Sequence, residues 1–201
     1  MYTIKKSNSK ITDINDKSWD MAEIAEVNCI NWKEFSWKPN TYARVLYSDY
    51  GLHIKLVTDE QNLFVSRREQ NSDVSKDSCM EFFIRPCMSD ERYLNFEINP
   101  FGTMYLGVRY NRDNKELIAL PREYFDVQSV VSDKEWVVAF NIPFEFIDKI
   151  FGVHDDKMLG NIYKCGEDTE IEHYVTYYPI SSAEPDFHRP ECFREFVLEK
   201  E

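Results

Sequence analysis

Hydrophobic and polar residues alternate with a period of two in two neighbouring segments, residues 78–85 and 93–99. This period is typical of β-strands whose two faces meet different surroundings. The apolar face of the two strands consists of Met80, Phe82, Ile84, Leu94, Phe96 and Ile98. The polar face carries Glu81, Arg85, Asn95, Glu97 and Asn99. Because the connection, residues 86–92, is short, we expect an antiparallel hairpin with a half-buried, polar outer face.

Similar alternations recur along the chain and predict further strands. They cover residues 43–47, 52–58, 63–66, 103–109, 127–131, 136–142, 161–165, 174–178 and 193–198. Pro143 predicts the start of a brief helix over residues 144–150. Many short strands with one or two short helices predict an all-β fold, an antiparallel β-sandwich. No linker or repeat is visible, so we expect residues 1–201 to form a single domain.

The composition narrows the classes of partner. Acidic residues outnumber basic ones, 36 to 24, giving a net charge of −12. This charge argues against nucleic acid or an anionic membrane as a partner, and it fits a neutral or cationic ligand. It is equally consistent with a role in solubility alone. The sequence says nothing about oligomeric state.

The cysteines and the N-terminal residues indicate in which cellular compartment the protein is expected. The 5 cysteines have irregular spacings, which favours free thiols in a reducing environment over a disulfide framework. The first residues lack the apolar run of a secretory signal, and no stretch is long enough to cross a bilayer. We therefore expect a cytoplasmic protein, or a secreted one if a leader has been removed.

The polar face of the hairpin is the first candidate site. Glu81, Arg85, Asn95 and Glu97 offer planar hydrogen-bonding groups that suit a ligand rich in hydroxyls. The alternative is a structural ion-pair network on a solvated face. Both interpretations remain open at this stage.

Aromatic residues and a polar loop give two further candidates. Tyr174, Tyr177 and Tyr178 could lay a ring against the apolar face of a sugar, or could pack in the core. His188 and Arg189 lie in a proline-flanked loop, where function is common but a loop anchor is equally plausible. Glu69 and Asp77 are expected to complete the rim of such a site.

Motifs spread along much of the chain carry a family resemblance. They are Arg68-Glu69, residues 77–84, residues 93–99 with Gly102, Trp136 before Ile142-Pro143, residues 160–166, His173-Tyr174, Pro179-Ile180 and residues 185–190. In their order and spacing, from roughly Tyr42 to Leu198, the chain resembles the family 9 carbohydrate-binding modules. Within that family it is similar to a bacterial subgroup of stand-alone family 9-like proteins.

The resemblance implies an immunoglobulin-like or jelly-roll β-sandwich that binds carbohydrate without catalysis. In the family, two tryptophans clamp a terminal sugar ring, and charged or amide groups bind its hydroxyls. The hydroxyl-binding glutamate maps onto Glu81, the first clamp position onto Val74, and the second falls around Tyr177. Some members also hold calcium ions, so calcium stays open, whereas the residues themselves predict no cofactor.

Two other functions compete with sugar binding. Glu81 and Glu97 on facing strands could serve as the paired carboxylates of a glycoside hydrolase. Alternatively, Val74 at a clamp position favours a protein-interaction module with a degenerate sugar site. Metal-binding patterns are weak. Cys165, His173, His188 and Cys192 include one close pair where zinc sites show two, and residues 154–156 lack a calcium-loop motif.

Overall fold

β-Strands make up most of the regular structure in the computed structural model, which describes residues 1–200. The strands are β1 (Tyr2–Lys6), β2 (Ala25–Glu26), β3 (Cys29–Ile30), β4 (Thr41–Ser48), β5 (Gly51–Thr58), β6 (Cys79–Arg85), β7 (Tyr93–Ile98), β8 (Met104–Arg109), β9 (Lys115–Leu117), β10 (Gln128–Val131), β11 (Trp136–Pro143), β12 (Lys157–Gly166), β13 (His173–Thr176) and β14 (Arg194–Leu198). This confirms the all-β prediction.

Helices are few and short. The α-helix α1 (Phe144–Phe151) begins directly after Pro143, as predicted, and ends at Gly152 in the left-handed conformation with φ of 84°. The 3-10 helices are Lys17–Met21, Lys33–Phe35, Val74–Lys76, Arg122–Phe125 and Pro190–Cys192. Among residues 1–200, no helix is long and apolar enough to span a bilayer.

The strands form one mixed, curled sheet. Its order is β10-β11-β5-β4-β1-β14-β12-β6-β7-β8-β9, with β2 on β4 and β13 between β12 and β3. Most pairs are antiparallel, but β1 runs parallel to both β4 and β14. The predicted purely antiparallel sheet is therefore wrong at β1, which joins the two halves.

The main core lies where the two halves face each other. Phe82 and Phe96 from one half meet Phe140 from the other, with ring centroids 6.4 Å and 5.2 Å apart. The apolar residues predicted on β6 and β7 all lie in this core and are buried. The hairpin and its apolar face are thus confirmed.

The strand predicted at residues 63–66 does not form. Backbone N–H groups of this segment bind side chains instead, as Phe64 donates to the Ser78 hydroxyl and Ser66 to Asp77. Because these side chains bind the backbone N–H groups of residues 63–66, the segment does not pair with a strand. The polar composition of the first residues predicts no strand, but the structure forms β1 there.

The outer face of β6 and β7 is not solvated. A second apolar cluster covers it, and its members include Trp32, Val74, Phe83, Tyr93, Tyr163, Ile180, Phe187 and Phe193. As a result Glu81 is only 2% exposed and Glu97 only 6%. The expectation of a half-buried hairpin is therefore wrong, because residues 180–193 lie over the polar face.

Candidate functional site

A polar pocket of about 250 Å³ lies between the outer face of the sheet and the segment that covers it. It is lined by Ser75, Glu81, Glu97, Arg112, Cys165, Glu167, Tyr174, Pro185, Asp186, Phe187 and His188. Its floor comes from β6, β7 and β12, and one wall comes from residues 185–188. Rigid strands and a fixed loop thus hold polar and aromatic groups around one small space.

Glu81 and Glu97 form the floor of the pocket. They are direct cross-strand partners in the β6–β7 pair, so their side chains leave the same face of the sheet. Burial raises the pKa of Glu81 well above its usual range, and the neighbouring Cys165 and Glu97 reinforce the shift. Burial also raises the pKa of Glu97, to about 7. The pair can therefore offer both an acid O–H donor and a carboxylate acceptor near neutral pH.

Glu97 is fixed by groups behind it. The Asn95 side-chain amide donates to Glu97 Oε1 at 2.7 Å, and Arg109 Nε donates to Asn95 Oδ1 at 3.0 Å. Gly107 makes room for this chain, since a Cβ atom there would lie 2.7 Å from Asn95 Oδ1. The charge of Arg109 and the Asn95 bond favour ionisation of Glu97 against the effect of burial. This arrangement assigns the ionised carboxylate to Glu97 rather than Glu81.

Residues 185–188, which form one wall of the pocket, are held in place by ion pairs to Asp186. Arg112 Nε lies 3.0 Å from Asp186 Oδ1, and Arg189 Nε lies 2.8 Å from Asp186 Oδ2. The backbone N–H of His188 also donates to Asp186 Oδ1, at 3.0 Å. These bonds to Asp186 fix the wall of the pocket.

His188 is a neutral part of that wall. Its ring stacks on Phe83 with centroids 5.1 Å apart, and Nδ1 lies 3.0 Å from the Tyr93 hydroxyl. Burial lowers the pKa of His188 to about 2, and Arg109 and Arg112 add to the shift. The imidazole therefore contributes a fixed polar edge and carries no charge at neutral pH.

Two aromatic rings face the pocket. Tyr174 is half-buried and is supported by Phe35, with ring centroids 5.0 Å apart. Phe187 stacks on Tyr163 at 4.3 Å with an angle of 9° between the rings. Such rigidly backed rings can contact the C–H face of a sugar.

Tyr177 and Tyr178 lie elsewhere. Both pack against the main core, where Tyr177 meets Tyr2 at 6.2 Å and Tyr178 meets Phe196 at 6.1 Å. The structure thus places the aromatic wall at Tyr174, which the sequence offered as a candidate beside them, and keeps these two tyrosines out of the pocket.

The remaining predicted residues do not line the pocket: some position its lining residues, and others lie away from it. Asn95 and Arg189 lie behind pocket residues and position them. Arg85 donates to the carbonyls of Asp90 and Met88 and so closes the hairpin loop. Asp77 is fully buried beneath the segment at Ser66–Arg67, and Glu69 is exposed on a loop outside the pocket. The structure brings Glu81, Glu97 and His188 together.

Several pocket residues were not singled out from the sequence. They are Ser75, Arg112, Glu167, Asp186 and Phe187, whereas the sequence marks Cys165 as a weak metal-ligand candidate and as part of the 160–166 motif. Asp186 and Phe187 stood in a motif of the family resemblance, which is the one signal that could have found them. Arg112 sits in a turn with no pattern of its own.

The weak metal patterns do not converge. His173 Nε2 lies 2.9 Å from Lys164 Nζ in a buried polar cluster, whereas His188 bonds Tyr93. In the 154–156 segment, His154 bonds Asp148 and Asp155 accepts from the Met88 N–H. These groups are engaged with the protein itself.

Comparison with known proteins places the fold. A protein from Bacteroides uniformis, provisionally named as carbohydrate-binding, is 24% identical, with a TM-score of 0.85 and 98% of each chain covered. A family 9 carbohydrate-binding module from Caldicellulosiruptor kristjanssonii, solved with glucose, is 13% identical, with a TM-score of 0.64 and coverage of 99% of this chain and 96% of that one. A structure of such a module from the same organism with cellotriose gives 12% identity, a TM-score of 0.65 and coverage of 100% and 94%. At these identities the likeness concerns the fold.

Sequence comparison supplies the family. No curated protein matches the chain. The profile of carbohydrate-binding family 9 matches residues 13–198, which is most of the chain. The match confirms the resemblance seen in the sequence and the general function it implied, carbohydrate binding. The chain therefore belongs to carbohydrate-binding family 9.

Proposed function

We propose that the chain binds the terminal ring of a carbohydrate, without catalysis, in the pocket above Glu81 and Glu97. Family membership and the sugar complexes of its structural neighbours support this proposal. We also propose that the curled sheet is a β-sandwich of immunoglobulin-like or jelly-roll type. Its two halves pack face to face over the main core, which supports that assignment.

The observation that carries the proposal is the pairing of two buried carboxyl groups beneath aromatic rings. Glu97 accepts hydrogen bonds from sugar hydroxyls, and protonated Glu81 donates one. Tyr174 and Phe187 contact the apolar face of the ring. A monosaccharide unit presents these two kinds of surface, so its chemistry matches the pocket.

The size of the pocket indicates a single ring. Its volume of about 250 Å³ is below the range of roughly 300–1,000 Å³ that is usual for drug-sized ligands. Val74, at the first clamp position, is fully buried, so stacking depends on Tyr174 and Phe187. A small polar site with one aromatic wall predicts an affinity of about micromolar to millimolar.

Replacing Tyr174 by alanine tests the site. We expect the affinity for the best sugar in a panel that includes glucose and cellotriose to fall about 10-fold, because the ring contact is lost. Isothermal titration calorimetry measures this change. Tyr124→Ala is the matched control, since Tyr124 is 40% exposed and lies outside the pocket, and it should bind as the wild type does.

Two results would contradict the proposal. If no sugar in the panel produces heat or shifts the tryptophan fluorescence, the chain is better explained as a protein-interaction module. If instead the protein releases sugar from a glycan panel and Glu97→Gln abolishes that release, Glu81 and Glu97 act as a hydrolytic pair. The second outcome has a specific basis, since their raised pKa values would suit acid–base chemistry.

Sugar binding should depend on pH through Glu97. Its pKa of about 7 means that the carboxylate becomes the main form as the pH rises past neutrality. Since the ionised form is the stronger acceptor, we expect affinity to rise about 10-fold from pH 6 to pH 8. Titrations at three pH values check this. The residual sugar affinity of Glu97→Gln should not change with pH. If the sugar affinity of the wild type falls as the pH rises, protonated Glu97 acts as a hydrogen-bond donor and the assignment as an acceptor is wrong.

A further inference from the structure

Two cysteines and a glutamate converge at the floor of the pocket. Cys79 and Cys165 are direct cross-strand partners in the β6–β12 pair, and Glu81 follows two positions after Cys79 on the same face. One ligand atom from each of the three residues lies within 4.8 Å of the other two. Cys165 Sγ lies 3.1 Å from Glu81 Oε1. Neither cysteine is in a disulfide.

This set of atoms suits a thiophilic metal ion. Two sulfurs and one carboxylate oxygen are ligands that zinc accepts, at about 2.3 Å for sulfur and about 2.0–2.2 Å for oxygen. In a tetrahedral site with such bonds the ligand atoms are roughly 3.5–3.8 Å apart, so the cluster needs only side-chain adjustments to close. Two paired strands already hold the three Cβ atoms, which limits the reorganisation that binding requires.

The surroundings also favour a cation. Glu97 on β7 is the direct cross-strand partner of Glu81 on β6, and Glu167 lines the same pocket. The Ser75 carbonyl oxygen lies 3.6 Å from Cys165 Sγ. Glu81, Glu97 and Glu167 thus line the same pocket as Cys165. Of the nearby cations, Arg112 is paired with Asp186, and the buried Lys164, which adjoins Cys165, is paired with Glu60 at 2.9 Å. A dication would offset this concentration of acidic groups.

We propose that Cys79, Glu81 and Cys165 bind a thiophilic divalent cation of the zinc class, with the fourth coordination position open to the pocket. Cys165 and Glu81 line the pocket, so a water molecule or a ligand oxygen can reach that position. Three protein ligands and one open position form the pattern of a reactive or ligand-binding metal rather than a closed structural one.

Metal binding at this site is coupled to proton release. Both cysteines are fully buried in the sheet. A thiol must lose its proton to become a metal ligand. Each S–H bond breaks as a metal–sulfur bond forms, the electron pair stays on sulfur, and the proton passes to solvent; a protonated Glu81 loses its proton in the same way.

Cobalt(II) titration of the reduced full chain tests the proposal. We expect one Co²⁺ per chain, with a thiolate-to-cobalt absorption band in the near ultraviolet that Zn²⁺ displaces. Cys165→Ser should remove the band and weaken Zn²⁺ binding by about 100-fold or more. Cys87→Ser is the matched control, because Cys87 is also buried but lies in the main core. Circular dichroism checks that each variant is folded.

A second variant and a second measurement keep the proposal testable if Cys165→Ser does not fold. Cys79→Ser should lose the band as Cys165→Ser does, and calorimetry of the wild type in buffers of different ionisation enthalpy should report released protons. The proposal is overturned if the band is absent in the reduced wild type or survives in both variants. A Cys79–Cys165 disulfide in mass spectra of protein purified with reductant would assign the pair to redox chemistry instead. Glu81 donates to the sugar in the metal-free protein and is an ionised ligand in the metal-bound protein, so sugar titrations of chelator-treated protein report on the proposed function separately.

Discussion

Replacing Asp77 by alanine is expected to lower the free energy of unfolding by about 3–5 kcal/mol. Asp77 is fully buried and accepts hydrogen bonds from the N–H groups of Ser66 and Arg67 and from the Asn99 amide. It also pairs with Arg67 Nη1 at 2.9 Å. Truncation would remove the acceptor of the buried Asn99 amide and of the partly buried N–H groups of Ser66 and Arg67. Equilibrium unfolding in urea measures the change.

The matched control is Glu69→Ala, on the exposed part of the same loop. Its free energy of unfolding should stay within about 0.5 kcal/mol of the wild type. Burial opposes ionisation of Asp77, but the bonds from Arg67, Asn99 and Ser66 outweigh it and lower the pKa. Its contribution is therefore present above the ordinary aspartate pKa and is lost as the pH falls. An Asp77→Ala protein as stable as the wild type would show that the loop can rearrange around the deletion.

Glu97→Gln is expected to weaken sugar binding by about 30–100-fold at pH 8. The change keeps the shape of the side chain but removes the charge that strengthens hydrogen bonds from hydroxyls, which is worth about 2–3 kcal/mol. It also replaces an acceptor oxygen with an amide donor close to the Asn95 amide, 2.7 Å from Glu97 Oε1 in the wild type. Calorimetric titration with the best sugar of the panel measures the loss.

Glu69→Gln provides the isosteric control for this variant. It makes the same chemical change at a predicted rim residue that the structure places outside the pocket, so sugar affinity should not change. If Glu69→Gln weakened binding and Glu97→Gln did not, the sugar would bind on the loop surface and the pocket assignment would be wrong. Thermal unfolding of both variants separates a binding defect from a folding defect.

The pairing of Glu81 with Glu97 could be predicted because it depends on local pattern. A period of two places both on one side of a hairpin, and a short connection fixes their strands as neighbours. What covers that side could not be predicted in this way. Residues 185–188 reach the pocket from far along the chain, and Asp186 is held there by Arg112, which no periodicity marks.

The tyrosines show how a register argument fails at the end of a strand. The sequence treats residues 174–178 as one strand, but β13 ends at Thr176. The Tyr177 N–H then donates to the Ile162 carbonyl, and the Tyr178 N–H donates to Asn161 Oδ1. These bonds turn both rings to the main core and leave Tyr174 at the pocket. The point where a strand stops depends on such tertiary bonds.

Burial on both sides of β6 and β7 restricts how ligand preference can vary within this architecture. A change at Glu81 or Glu97 alters the contact with the sugar and the packing of the sheet together. Arg112 is exposed and Asp186 is partly exposed, so both lie where the pocket opens and the chain is less constrained. Homologues with different sugar preferences should therefore differ at this opening while the paired carboxyl groups beneath stay the same.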